Sequence, residues 1–138
     1  MTRVLLMLMI AMAARQNAAQ TPRIPDPEVR YAIKGAQHLR FLVRDPESFE
    51  LTLALITDSG NVCYQYRARN SFGRTDADTA VFPKSARKLA DDQDSGFLFT
   101  DSSDWERYCV QGTTFKWRLR EGKNVTEDVK KALKASEQ

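Results

Sequence analysis

One histidine, two cysteines and a scatter of carboxylates are the side chains with which this chain could do chemistry. His38 would need a partnered nucleophile to serve as a general base, or further ligands to hold zinc. No second histidine exists, and the plain reading of His38 is a partly buried residue beside the apolar stripe of a helix. Asp91, Asp92 and Asp94, with Asp101 and Asp104, supply oxygens of the kind calcium uses. Their spacing fails the EF-hand pattern, because Asp92 and Asp94 are followed by Gly96 where a third ligand belongs. A solvated acidic loop accounts for them. Dispersed carboxylates such as Asp45, Glu47, Asp101, Asp104 and Glu106 could serve a hydrolase only if folding gathers two of them in one pocket. There is no P-loop, G-x-G-x-x-G, G-x-S-x-G or H-E-x-x-H, so no cofactor and no metal is expected.

Cys63 and Cys109 are the two cysteines, and their pairing depends on the compartment. Residues 1–13 carry a charged Arg3, an apolar run from Val4, and Ala11 and Ala13 at A-x-A spacing, which is the pattern of a secretory signal peptide. The apolar run to Ala14 is far shorter than the ~20 residues a membrane span needs. Cleavage is expected after Ala13, or as late as Ala19, with no cysteine nearby to take a lipid anchor. In an oxidising compartment an even cysteine pair predicts one disulfide, closing a loop of about 45 residues. Two buried thiols and a redox pair are the alternatives, the latter without a C-x-x-C motif.

The elements that position these groups follow from periodicity. Residues 14–25 read as an extended lead. Asp26, Pro27 and Glu28 then have the order of an N-cap, a first helical position and an acidic first turn. Val29, Ala32, Ile33, Ala36, Leu39 and Val43 fall on one helical stripe, and Pro46 ends the helix by disfavouring helical geometry at Asp45. From Phe49 the pattern changes to period two. Phe49, Leu51, Leu53 and Leu55 make an apolar face expected to receive the helix, followed by turn residues Asp58 to Asn61. Val62, Tyr64, Tyr66 and Ala68 alternate with Cys63, Gln65, Arg67 and Arg69, which predicts an antiparallel hairpin with a wetter reverse face.

Further on, Thr79 to Phe82 reads as a third strand, Lys84 to Asp94 as a loop with some helical turn, and Phe97 to Phe99 as a short strand. Asp101 to Asp104 offer caps for a short helix through Trp105, Tyr108 and Cys109. Thr113 to Leu119 reads as one more strand. A final helix starts near Asn124 or Thr126, with Glu127 and Asp128 in its first turn and lysines toward its end. Its apolar contact, Val129 and Leu133, is thin. The fold class is therefore α+β: a single domain over residues 26–138, with an amphipathic helix on a mostly antiparallel sheet, a short cysteine-bearing helix and a C-terminal helix.

The stretch from Asp45 to Gly73 also resembles a pattern found in small exported bacterial proteins of unassigned function. Asp45-Pro46, Ser48-Phe49, Cys63, Tyr66, Ala68 and Asn70-Ser71-Phe72-Gly73 carry the likeness, which spans roughly Val43 to Val81. Where many of those proteins have a second glycine, this chain has Arg74. The resemblance implies a small secreted or periplasmic module and transfers no catalytic residue. In a bacterial setting the Asn124-Val125-Thr126 sequon is an incidental helix cap rather than a glycosylation site.

Charge narrows the partners. The formal net charge is +3, and it falls to +2 once the single charge of the leader, Arg3, is removed, which is too mild for a nucleic-acid binder. Arg67, Arg69 and Arg74 lie close to Tyr64 and Tyr66, but alternation sends the strand arginines and the tyrosines to opposite faces, so no stacking platform forms. The leading expectation is an exported, non-enzymatic module that binds an envelope protein or an anionic surface through Arg67, Arg69, Asn70, Phe72 and Arg74, without stable membrane insertion after leader cleavage. An envelope hydrolase using dispersed carboxylates is the first alternative. A structural subunit of an envelope assembly, recognisable by a large exposed apolar patch, is the second.

Overall fold

Asp26 opens the first helix by accepting the Glu28 N–H at 2.9 Å, with Pro27 at the first helical position, and α1 runs Pro27–Leu42. The computed structural model describes residues 26–93, 95–113 and 115–138. The expected signal peptide (1–13) and lead (14–25) lie outside the described residues. Val43 turns extended just ahead of Asp45-Pro46, and a single 3-10 turn, Pro46–Ser48, leads into the sheet.

Three strands of eight residues follow: β1 (Glu50–Thr57), β2 (Val62–Arg69) and β3 (Thr75–Phe82). A short helix, α2 (Arg87–Asp91), precedes α3 (Ser102–Cys109), which Asp101 caps by accepting the Ser103 N–H at 3.0 Å. The chain then forms a hairpin of β4 (Val110–Thr113) and β5 (Lys116–Leu119), adds β6 (Gly122–Asn124), and ends in α4 (Thr126–Ala135). The main sheet has the order β3-β2-β1-β6, with every neighbouring pair antiparallel. This is a single small α+β domain.

The register of β1 on β2 corrects one expectation. It slips between Leu51 and Leu53, so that Leu51 faces Tyr66 while Leu53 faces Gln65, and Thr52 is the extra residue of a bulge. Alternation therefore changes phase. Leu51, Ala54 and Ile56 join the helix-side core, while Leu53 and Leu55 turn to the opposite side. The run from Phe49 to Leu55 does not form one helix-facing stripe, because both faces of this strand are covered. β2 has no such slip, and Val62, Tyr64, Tyr66 and Ala68 all reach the helix-side core as their alternation requires.

Three other readings change at the sheet margins. The third strand begins at Thr75 rather than Thr79, since β2 offers a full ladder of partners and holds even the polar residues in register. Phe99 makes only an isolated bridge to Val81, exchanging both backbone hydrogen bonds at 2.8 Å, before the chain leaves to cap α3. Residues Thr113 to Leu119 are not one strand: Thr113 ends β4 and pairs with Lys116, the first residue of β5.

On the inner face α1 and α4 pack together over the sheet. Val129 and Leu133 of α4 are buried as expected, and Val125 thickens the contact. Thr126 seats this helix by accepting the Ala54 N–H at 2.9 Å and donating to Asn124 Oδ1 at 2.6 Å. α1 packs against Tyr64 of β2 at Gly35. A Cβ there would collide with the Tyr64 hydroxyl and lie 2.9 Å from Tyr64 Cζ and 3.0 Å from Phe82 Cδ1. The Tyr64 hydroxyl, fully buried, donates to the Ala32 carbonyl at 2.8 Å.

On the outer face Cys63 of β2 and Cys109 of α3 form a disulfide with a Cα separation of 5.9 Å, and both are fully buried. Leu53, Leu55, Val81, Phe99, Trp105, Tyr108 and Leu119 surround it. The bond staples α3 to the centre of the sheet.

Removing the staple by replacing both cysteines with alanine should lower stability by about 2–4 kcal/mol, given the 46-residue separation of the pair. A thermal melt with and without reductant checks this, with the wild-type protein falling to the variant's midpoint on reduction. Gly35→Ala improves helix propensity by about 1 kcal/mol but forces Tyr64 out of place, so a net loss of roughly 1–3 kcal/mol is expected in urea unfolding.

Candidate functional site

Asn70 organises the end of the β2–β3 hairpin. Its N–H donates to the Arg74 carbonyl at 2.7 Å, and its side-chain oxygen accepts the N–H groups of Phe72 and Arg74 at 2.9 and 3.0 Å. Its amide nitrogen donates to Asp76 Oδ2 at 2.7 Å, while Gly73 N–H closes back on the Asn70 carbonyl at 3.1 Å. One short side chain thus spends both of its polar atoms on three partners, Phe72, Arg74 and Asp76. Phe72 stands at the tip, 88% exposed.

Arg67 and Arg69 lie on the exposed outer face of β2, beyond the part covered by α3. Arg67 is in register with Glu50, and Arg69 Nη1 is 3.8 Å from Asp45 Oδ2. The Arg69 N–H donates to Ser48 Oγ at 2.7 Å, which ties the 3-10 turn to the end of the strand. The sequence-picked residues Arg67, Arg69, Asn70, Phe72 and Arg74 are therefore brought together at one end of the sheet. Their positive charges are partly balanced by Glu50 and Asp45, so the patch is mixed in sign.

On the inner side of the same end lies a shallow groove of about 370 Å³ beneath the last turn of α1. Tyr66 and Ala68 form its floor together with Asp78 and Asp76, their register partners on β3, and Leu42, Arg44 and Thr100 stand at its edges. Burial, helped by the nearby Asp78 carboxylate, pushes the Tyr66 phenol up to about 12. Phe49 packs beside it with ring centroids 5.5 Å apart. Asp76 and Asp78 were not among the expected carboxylates. Their signal was the period-two run from Thr75 to Phe82, which puts both on one face, but the polar residues conceal the strand.

The expected carboxylates are not gathered. Asp45 and Glu47 belong to the 3-10 turn, whereas Asp101, Asp104 and Glu106 belong to α3 and its cap. Asp101 is held below the usual carboxylate range by the Ser103 N–H. Asp91 accepts a hydrogen bond from the Tyr31 hydroxyl at 2.6 Å, and that bond raises the Tyr31 phenol. Among the described residues no group of three or more His, Cys, Asp or Glu side chains converges as a metal site would require. His38 lies against Phe97 with ring centroids 4.6 Å apart, a packing contact. No family model, curated protein or solved structure matches the chain.

The raised Tyr66 phenol has a consequence for stability at alkaline pH. In the unfolded chain a tyrosine loses its proton near pH 10, and in the fold Tyr66 holds it to about 12. Its contribution is complete below pH 10 and is lost as pH rises from 10 through 12. Unfolding midpoints measured across that window should fall with pH, and Tyr66→Phe should flatten the fall. An unchanged slope would exclude Tyr66 as a contributor.

Proposed function

We propose that this chain is an exported, non-catalytic binding module that docks a protein partner of the cell envelope through the Asn70–Arg74 loop and the adjoining Arg67 and Arg69. The observation that carries the reading is Phe72: a large aromatic side chain held in water on a loop whose backbone is already fixed by Asn70. Anchors of this kind dominate binding energy, and a pre-ordered loop loses little conformational freedom on association. The mixed charge around Arg67 and Arg69 favours a protein surface with its own paired charges over a uniformly anionic one.

Export is supported by the leader pattern of residues 1–13 and by the Cys63–Cys109 disulfide, a bond typical of oxidising compartments. No helix among the described residues is long and apolar enough to cross a membrane. A hydrolase is the second reading, and one observation favours it: the inner groove does contain two carboxylates, Asp76 and Asp78. Asp76 is already engaged by the Asn70 amide, however, which gives it a role in shaping the loop.

Intact mass of the protein recovered from its host, before and after reduction and alkylation, tests the first half of the proposal. A mature species with both cysteines protected until reduction is the expected result; an unprocessed species with free thiols would remove the case for export. Affinity capture from the envelope fraction then compares the wild type with Phe72→Ala and with Arg67→Ala/Arg69→Ala. Recovery of the partner should fall roughly tenfold or more for Phe72→Ala, with melting midpoints within about 2 °C of the wild type. Equal recovery by all three proteins would sink this surface assignment, and hydrolysis lost on Asp76→Asn/Asp78→Asn would replace it with the second reading.

A further inference from the structure

Both tryptophans of the chain border one cleft, formed between α3 and the β4–β5 hairpin, with a volume of about 560 Å³. Its lining is Trp105, Glu106, Val110, Gly112, Thr113 and Trp117. Trp105 is half-buried and leans on the disulfide cluster, which makes it a fixed wall. Trp117 is 61% exposed, and its register partner across the hairpin is Gly112. Cross-strand neighbours normally cover an aromatic ring in a hairpin, and glycine has no side chain with which to do so. Nor can another residue readily take its place, since Gly112 has φ +106° and an added Cβ would collide with the Lys116 carbonyl.

We propose that this cleft binds a quaternary ammonium group. Indole faces attract cations through the ring quadrupole, with tryptophan the strongest of the aromatic residues. Glu106 is the one charged residue among the six lining residues, and its sign complements a cation. A primary ammonium would need acceptors for its three N–H groups, and a sugar would need donors and acceptors for several hydroxyls. Among the described lining residues the two indole N–H groups can only donate, which leaves the Glu106 carboxylate and the Thr113 hydroxyl as the side-chain acceptors, too few for either. A quaternary ammonium carries positive charge, has no N–H to satisfy, and presents methyl groups to the walls. The site shares no residue with the Phe72 loop and does not depend on the reading of that surface.

The same chemistry occurs in free small molecules and in choline lipid headgroups, so the experiment has an arm for each. Tetramethylammonium and choline are titrated into the full mature protein, read by tryptophan fluorescence and by broadening of the ligand methyl resonance in proton NMR. Sodium chloride serves as the ionic-strength control, and 3,3-dimethylbutan-1-ol as the uncharged isostere of choline. Saturable binding of both cations is expected, with affinity reduced roughly fivefold to tenfold by Trp117→Ala and by Glu106→Gln. Both variants should keep the wild-type melting curve, and Trp105 remains as a reporter when Trp117 is gone. Co-sedimentation with phosphatidylcholine vesicles would assign the source to a lipid headgroup; choline binding without co-sedimentation would assign it to a free ligand. Equal binding of the uncharged isostere, unaltered affinity in both variants, or no saturable binding would overturn the proposal.

Discussion

The fold depends on how closely α1 can lie on β2. Tyr64 is a large side chain with a polar end, fully buried, and it must both fill volume and satisfy its hydroxyl. It does so only because Gly35 leaves the helix surface bare above it and the Ala32 carbonyl stands within 2.8 Å. Small residues Ala32 and Ala36 flank the same contact, so the helix axis is drawn toward the sheet along this part of its length. The direction in which α1 leaves the sheet follows from this seat, and with it the position of its last turn over the groove formed by Tyr66, Asp76 and Asp78. α4 then packs where α1 and β1 leave room, with Thr126 joined to the Ala54 N–H.

Much of this was legible from periodicity and caps. The α1 stripe, the Asp26 and Asp101 caps, the β1–β2 hairpin and the faces of β2 all follow from local rules, because each is set by residues close in the chain. The bulge at Thr52 was not legible. A strand covered on both sides is apolar on both sides, so nothing in the alternation records where the phase changes. β3 was only half visible, since Thr75 to Asp78 are strand by virtue of their partners on β2 rather than by their own preference. β6 is shorter still, three residues without a hydrophobic one, and it exists because β1 offers a free edge.

The candidate surfaces divide in the same way. Arg67, Arg69, Asn70, Phe72 and Arg74 are near in sequence, and a hairpin keeps near residues together. What the sequence could not show was the economy of Asn70, whose amide and carbonyl hold the loop so that Phe72 projects. The inner groove and the tryptophan cleft both join residues from separate elements, and their composition depends on tertiary placement. The disulfide links the two halves of this description: it fixes α3 against β2, and so places the helix that carries Trp105 and Glu106.

The outer margin of β3 has a further consequence. Apart from the single bridge at Val81, this strand has no ladder partner on its outer side among the described residues, a shape that invites a second copy to add itself as the next strand. Asp76 and Asp78 stand on that margin. Two copies meeting there in antiparallel fashion would bring carboxylates against carboxylates, a destabilising pairing. The polar run that hides β3 from a reader of the sequence thus also sets like charges where a second copy would add itself as a strand.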